Sequence, residues 1–294
     1  MNEQEWWAQQ FEQNQGHLRA VAYRMLGSPS EADDAVQEAW LRLRKSDVAA
    51  IQNLRGWLTT VVARVCLDTL RSRASRREEA LEEQVSEPVA DNQRVGDPEH
   101  DALLADSISL ALLIVLDRLA PAERIAFVLH DLFDVSYEEI ATIVGRSPTA
   151  ARQLASRARR RVEGADTPSP ADLNGQRQVV DAFLAALRRG DVEGLVAVLD
   201  PEVVVRADQA AARPDAPREI RGARTWAKAA VTFARFAQAV QPMVVDGAAG
   251  LVWAPGGRPA RVLKFTFAGG KIAEIEILAD PERLRDLDLA LLQE

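Results

Sequence analysis

Arg146, Arg152, Arg157, Arg159, Arg160 and Arg161 fall within the stretch GRSPTAARQLASRARRR, residues 145–161, which contains no acidic residue. Guanidinium groups stay charged at any physiological pH and present paired N–H donors that match phosphate oxygens. Such a density of fixed positive charge points to a polyanion, because each arginine that meets a phosphate releases a condensed counterion. The rest of the chain is of opposite character: its 294 residues carry a formal net charge of −8 and a pI near 5.2.

A second basic group ends the stretch LRGWLTTVVARVCLDTLRSRASRR, residues 54–77, with Arg64, Arg71, Arg73, Arg76 and Arg77. Its first half repeats Trp57, Val61, Val65 and Leu58, Val62, Cys66 at helical spacing, so that half packs. A basic helix end complements the helix dipole. Five arginines exceed that need, and nucleic-acid phosphate fits the excess.

Little else offers chemistry. His17, His100 and His130 are scattered, with no paired spacing and no Cys/His cluster, so neither a metal nor another cofactor is expected. Cys66 is the single cysteine; it cannot form an intrachain disulfide, and its apolar helical setting marks it as a small core residue. The start MNEQEWWAQQ is polar and acidic, unlike a signal peptide, and the longest apolar run, LALLIVL at 110–116, is far short of a membrane span. A soluble cytoplasmic protein is expected.

The elements that position the arginines follow from charge and punctuation. Residues 78–107 hold ten acidic side chains against one basic, Arg94, and so account for the net negative charge. They read as an acidic linker. A second break, EGADTPSPADLNG at 163–175, is rich in Pro, Gly, Ser and Asp. The expected domains are therefore 5–77, 108–163 and 175–294, with linkers at 78–107 and 164–174. In the first, SEADDAVQEAWLRLRK places Ala32, Ala35, Val36, Ala39, Trp40 and Leu43 on one helical face, with Ser30 as the cap. Asp34, Gln37, Glu38 and Leu41 turn away from that stripe, as a solvated face or a docking face would.

Upstream of the arginine segment, LAPAERIAFVLHDLFDVSYEEIATIVGRSPTAARQLASRARRRV reads as three short helices. Ile125, Val128, Leu129 and Leu132 mark the first. Ser136 and Glu139 form a capping box for the second, which buries Ile140, Ala141 and Val144. Gly145 supplies a turn; Ser147 caps the third, with Pro148 at its first position. Ala151, Leu154, Ala155, Ala158 and Val162 form the buried stripe, leaving Thr149, Arg152, Gln153, Ser156, Arg157 and Arg160 outward. This is a helix-turn-helix pattern: residues near the start of the third helix reach base edges, and the later arginines meet phosphates.

At these residues the chain resembles a bacterial extracytoplasmic-function RNA polymerase sigma factor. DDAVQEAWLRL is similar to the region-two signature, WLTTVVARVCLDTLRS to the helix after it, and the three-helix stretch to region four over its full length. The resemblance implies that Asp33, Asp34, Gln37, Glu38 and Leu41 dock on the beta-prime clamp helices of core RNA polymerase. It implies that the loop DVAAIQNLRGW receives a flipped promoter base, with Asn53, Arg55 and Trp57 as candidates; an unstacked base that gains a pocket makes duplex opening easier. Arg64, Arg71 and Arg73 would then hold the minus-ten strand, while region four would read the minus-thirty-five element and touch the beta flap.

Residues 175–294 exceed a minimal sigma factor. QRQVVDAFLAALRRGDVEGLVAVLDPEVVVRAD reads as two helices and a strand, IRGARTWAKAAVTFARFA as another helix, and PMVVDGAAGLVWAPGG, ARVLKFTFAGG and KIAEIEILAD as strands with Gly turns. The expected fold class is thus multidomain: two all-α modules plus an α+β cone with a curved antiparallel sheet. The cone resembles the SnoaL-like domain of the SigJ-type subgroup, through VVDGAAGLV and through DPERL, which contains Asp280, Pro281 and Leu284. The subgroup's linker motif survives as Glu87 and Pro88 in QVSEPV, and a further motif only as Asp208 in DQAAAR. The resemblance makes these residues interdomain regulatory contacts. Asp208 and Asp246 could line a cavity, but the domain has no histidine, so catalysis is not expected. An apolar cone can hold a small-molecule ligand, so ligand sensing stays open. A polymerase-independent helix-turn-helix regulator and a cone-domain enzyme tethered to DNA are the alternatives; the acidic DDAVQEAW helix disfavours the first, the missing histidine the second.

Overall fold

Ser28 opens the helix that carries the acidic face. Its hydroxyl accepts from the Glu31 N–H, Pro29 takes the first helical position, and α2 runs Pro29–Leu43. The sequence pattern puts this cap at Ser30, whose hydroxyl instead meets that of Ser28 at 3.0 Å. The proline decides the matter, since its missing N–H costs nothing in the first turn.

The computed structural model describes residues 3–46, 51, 53–82, 110–164, 170–212, 218–234 and 236–292. They belong to two units, Met1–Ser107 with Leu116–Arg159, and Ile108–Val115 with Arg160–Glu294. The division falls inside α4 (Leu110–Asp117) and inside α7 (Pro148–Glu163).

In the first unit, α1 (Glu3–Leu26), α2 and α3 (Leu54–Glu82) bury one apolar stripe each. Leu18, Val21 and Met25 of α1 meet Ala32, Val36 and Leu43 of α2 and Leu58, Val62 and Cys66 of α3, all out of water. Burial pushes the Cys66 thiol up to about 12, as befits a core residue rather than a nucleophile. Helix α3 runs on past residue 77, where the sequence pattern begins the acidic linker, to Glu82. Next come α5 (Pro121–Phe127), a π-helical turn (Val128–Leu132) and α6 (Tyr137–Val144). The capping box forms: the Ser136 hydroxyl accepts from the Glu139 N–H, and the Ser136 N–H donates to Glu139 Oε2, both at 3.3 Å. Gly145 closes α6 in the left-handed region at φ 69°, a backbone conformation strained for any residue with a Cβ, and the chain turns into α7. The Ser147 hydroxyl accepts from the Ala150 N–H at 3.2 Å. Ala151, Ala155, Ala158 and Val162 are buried as the spacing requires, while Leu154 is half-buried.

In the second unit, α8 (Pro170–Arg189) starts inside the stretch expected to be linker, followed by α9 (Val192–Val198) and β1 (Leu199–Ala207). Then come β2 (Glu219–Arg221), α10 (Ala223–Ala230), β3 (Val240–Val245), β4 (Ala248–Trp253), β5 (Arg261–Ala268), β6 (Lys271–Leu278), α11 (Pro281–Asp286) and β7 (Leu289–Ala290). The helix expected across residues 220–237 is shorter, because Ile220 pairs with Val205 on β1 and short 3-10 turns follow α10. The sheet order is β2-β1-β6-β5-β4-β3-β7. It is mixed rather than wholly antiparallel: β1 and β6 run parallel, because the chain crosses over through α10 and the β3–β5 meander before it returns to β1.

Helix α8 lies across this curved sheet. Val180, Phe183, Leu184 and Leu187 bury against Leu251, Phe265, Ile272 and Ile275. Its Gln176 side chain accepts from the Ala249 N–H at 2.9 Å, and Arg188 donates to the Ala237 and Val240 carbonyls. Gly250 is required by close approach, since a Cβ there would sit 2.8 Å from the Leu263 carbonyl oxygen on the paired strand β5.

Candidate nucleic-acid interface

Helix α7 presents Thr149, Arg152, Gln153, Ser156, Arg157 and Arg160 on one exposed face, opposite its alanine stripe. The spacing of three and four residues makes this geometry inevitable once the alanines pack. The structure adds what the spacing cannot: the scaffold orients several of these guanidiniums. Arg157 pairs with the buried Glu123 of α5 at 3.3 Å. Arg159 donates to Asp131 of the π-helical turn at 2.7 Å, and that bond holds its guanidinium above the usual arginine range. Arg152 lies over the Tyr137 ring, 5.1 Å from its centroid.

The second basic group divides sharply. Arg64 and Arg71 are exposed on α3. Arg73 is turned inward, where it donates to the Leu26 carbonyl at 3.1 Å and pairs with Glu31. These contacts tie α3 to the end of α1 and the start of α2, and leave the Arg73 side chain 21% exposed. Asn53 likewise caps α3, since its Oδ1 accepts from the Gly56 N–H at 3.0 Å. Trp57 is half-buried in the first turn. Arg55 donates to His17 Nδ1 at 3.1 Å, which makes Nε2 the protonated nitrogen facing the Thr59 hydroxyl at 3.3 Å. Burial, helped by Arg55 and Arg24, keeps the His17 imidazole below its ordinary value. Residues 47–50 and 52 of the loop DVAAIQNLRGW lie outside the described residues.

The face of α3 that carries Arg64 meets the helix-turn-helix within this unit. Arg64 Nη2 donates to the Thr142 carbonyl of α6 at 3.4 Å. Arg24 sits 5.0 Å over the Phe133 ring, and His17 meets the same ring edge-on at 5.4 Å. Arg124 of α5 is 2% exposed; it reaches Asp117 at 3.3 Å, while its Nε finds no acceptor among the described residues.

On α2, Asp34, Gln37 and Leu41 face solvent, and Leu41 is 47% exposed, a large value for its type. Asp33 pairs with Arg19 at 2.7 Å and Glu38 with Arg42 at 2.8 Å. Between α1 and α2 runs a groove of about 740 Å³, floored by Phe11, Val36 and Trp40 and edged by Asp33 and Gln37.

In the cone, Asp208 accepts from three backbone N–H groups, those of Ala211, Ala279 and Asp280. Burial alone would raise its carboxyl, but these bonds and Arg283 hold it below the usual range. It locks the end of β1 to the turn after β6 instead of lining a cavity. Asp280 caps α11 by accepting from Glu282 and Arg283, Pro281 follows at the first position, and Leu284 is buried. Asp246 occupies the exposed β3–β4 turn at φ 47° and pairs with Lys264 at 2.7 Å, also away from the apolar interior. That interior holds Phe183 stacked on Trp226 at 5.6 Å and edge-on to Phe265 at 5.3 Å. Glu87 and Pro88 lie outside the described residues. No group of three or more metal-ligating side chains occurs among the described residues. The residues that sequence reasoning passes over are Glu123, Arg124, Asp131 and Tyr137. Only Tyr137, beside the Ser136 cap, stands next to a recognisable signal.

Residues 10–76 match the family Sigma-70 region 2, and residues 109–162 match Sigma-70, region 4. The chain is 43% identical over 218 residues to the ECF RNA polymerase sigma factor SigJ of Mycobacterium tuberculosis, covering 72% of this chain and 68% of that protein. It is 34% identical over 277 residues to the probable ECF RNA polymerase sigma factor SigI of the same species, covering 93% of each. A crystal structure of M. tuberculosis SigJ aligns over 94% of this chain and 97% of its own, with 32% identity and a TM-score of 0.46.

Proposed function

We propose, from the premise that this chain belongs to the extracytoplasmic-function (ECF) RNA polymerase sigma factors, a division of labour among its surfaces. As a sigma factor it directs promoter-specific initiation of transcription. On our reading, α2 docks on the clamp helices of core polymerase through Asp34, Gln37 and Leu41, with Asp33 and Glu38 shaping the rim. Arg64 and Arg71 of α3 hold the minus-ten strand. The α7 face reads the minus-thirty-five element, with Thr149, Arg152 and Gln153 at base edges and Ser156, Arg157 and Arg160 at phosphates. Region four also touches the flap. The protein works beside polymerase in the cytoplasm and carries out no covalent step of its own. No helix among the described residues is long and apolar enough to cross a membrane.

The observation that carries this reading is the pair of arginine-bearing helices: α7 leaves one basic face outward, and α3 exposes Arg64 and Arg71. The test is run-off transcription with purified core polymerase and a panel of promoters. Transcripts that need the chain are expected; a chain that neither joins core nor starts a transcript overturns the reading.

The elements named minus ten and minus thirty-five lie about 25 base pairs apart, or ~85 Å at 3.4 Å per pair. With Arg64 3.4 Å from the Thr142 carbonyl, the two modules cannot span that distance. Promoter engagement therefore requires them to part, and residues 83–109, fully extended, reach about 90 Å. Phe133 links the modules through Arg24 and His17. Phe133→Ala removes one cation–π and one edge-on ring contact, each worth ~0.5–1 kcal/mol. It is expected to shift the free protein toward the open form several-fold, read by single-pair energy transfer between labels on α1 and α6. An unchanged distribution would remove the closed form from the account.

The cone is proposed to set where region four can go. The last turn of α7 belongs to the second unit, where the Leu291 N–H donates to the Val162 carbonyl at 3.0 Å. Asp208, Asp280, Pro281 and Leu284 shape the neighbouring β6–α11 corner, and Glu87 and Pro88 are the linker residues proposed to reach it.

A further inference from the structure

Tyr137 is absent from the DNA-facing set, yet its ring is placed against it. It is the first residue of α6, half-buried, and lies between two partners. On one side is the His130 ring, at 4.0 Å and 32°. His130 is fixed in turn, because its Nδ1 lies 3.1 Å from the Val135 carbonyl, which can only accept. On the other side is the Arg152 guanidinium, 5.1 Å from the Tyr137 centroid. The neighbouring Arg159 is anchored on Asp131 at 2.7 Å.

A free arginine samples many rotamers, and ordering it on a base is unfavourable. A guanidinium already held over an aromatic face loses less on binding and can approach a base edge from one direction only. We propose that Tyr137 is a positioning residue for promoter readout: backed by His130, it aims Arg152 and so sets base discrimination in the minus-thirty-five element. The inference deepens the function proposed above and rests on its placing of Arg152 at a base edge.

The test uses holoenzyme assembled from core polymerase and the full chain. It compares run-off from a preferred promoter with run-off from single-base variants of the minus-thirty-five element. A cation–π contact at an exposed site corresponds to ~2- to 5-fold. Tyr137→Leu is expected to lower the discrimination ratio by that factor at the base Arg152 meets, leaving the salt dependence of promoter binding unchanged. Tyr137→Phe, which keeps the ring, is expected to keep the ratio. Arg152→Ala should lose at least as much as Tyr137→Leu, and the double variant no more than Arg152→Ala alone. A ratio untouched by Tyr137→Leu but lowered by Arg152→Ala overturns the positioning role alone. So does additivity of the two, a loss in Tyr137→Phe equal to that in Tyr137→Leu, or a uniform fall in transcription with the ratio kept. A ratio untouched by Arg152→Ala overturns the base contact itself, and the inference with it.

Discussion

Replacing Asp34 and Leu41 together by arginine is expected to reduce promoter-directed run-off transcription at least ~100-fold, with thermal unfolding unchanged. Leu41 is an apolar side chain left 47% exposed beside the outward carboxylate Asp34 on α2. Burying such a leucine in an interface contributes ~1.5–3 kcal/mol, and a like charge set against a basic partner surface costs a similar amount. Their sum exceeds the ~2.7 kcal/mol that a hundredfold loss requires. Folding should not suffer, because the stripe that holds α2 in place is Ala32, Ala35, Val36, Ala39 and Leu43, all buried on the other side. Association with core polymerase, followed by fluorescence anisotropy, should fail in parallel with transcription. A double variant that transcribes within about threefold of the parent would show that α2 is not the docking helix.

The second large effect concerns Arg124. Arg124→Ala is expected to destabilise the first unit by about 3 kcal/mol, whereas Arg124→Met should leave it unchanged or more stable. The guanidinium is 2% exposed, with one ion pair to Asp117 and an unsatisfied Nε. Burial pushes it down to about 10, against the pull of Asp117. A base whose folded value lies below its unfolded one binds fewer protons when folded. Stability therefore rises with pH between about 10 and the unfolded arginine value, and the charge opposes folding at neutral pH. The long side chain still fills space against Gly27, whose position a Cβ would bring within 3.5 Å of Arg124 Nη2. Alanine leaves that space empty; methionine fills it without the charge. Chemical denaturation of both variants decides the question. A methionine variant as unstable as the alanine one would mean that the Asp117 pair outweighs the desolvation.

The parts of this protein written in short-range punctuation were readable. The Ser136–Glu139 box, Gly145 and Pro148 each act within a few residues, so the helix-turn-helix followed from local chemistry. Local reading also misplaced boundaries: Pro29 moved the α2 cap back to Ser28, α3 runs on to Glu82, α8 begins at Pro170, and α10 spans only Ala223–Ala230. The mixed sheet was hidden because the pairing of β1 with β6 depends on the crossover at residues 208–270, and no periodicity within a strand records its distant neighbour. The candidate site divided in the same way. The outward face of α7 was legible from alanine spacing. The fates of Asn53, Arg55, Arg73 and Asp208 were not, because a polar side chain reads the same whether its partner is a promoter or its own backbone.

By itself the amino-acid order determined that two basic helices exist, which face of each is apolar, and that an acidic stretch separates them. Those properties follow from side-chain type and helical period alone. Only the tertiary structure decided which arginines remain outward, that Tyr137 underlies Arg152, that Arg73 is turned inward, and that the two basic modules close on one another. Each of these depends on which donor meets which acceptor across elements distant in the chain. Burial selects among such pairings by the cost of leaving a polar group unmatched, a cost that exists only once the elements are packed.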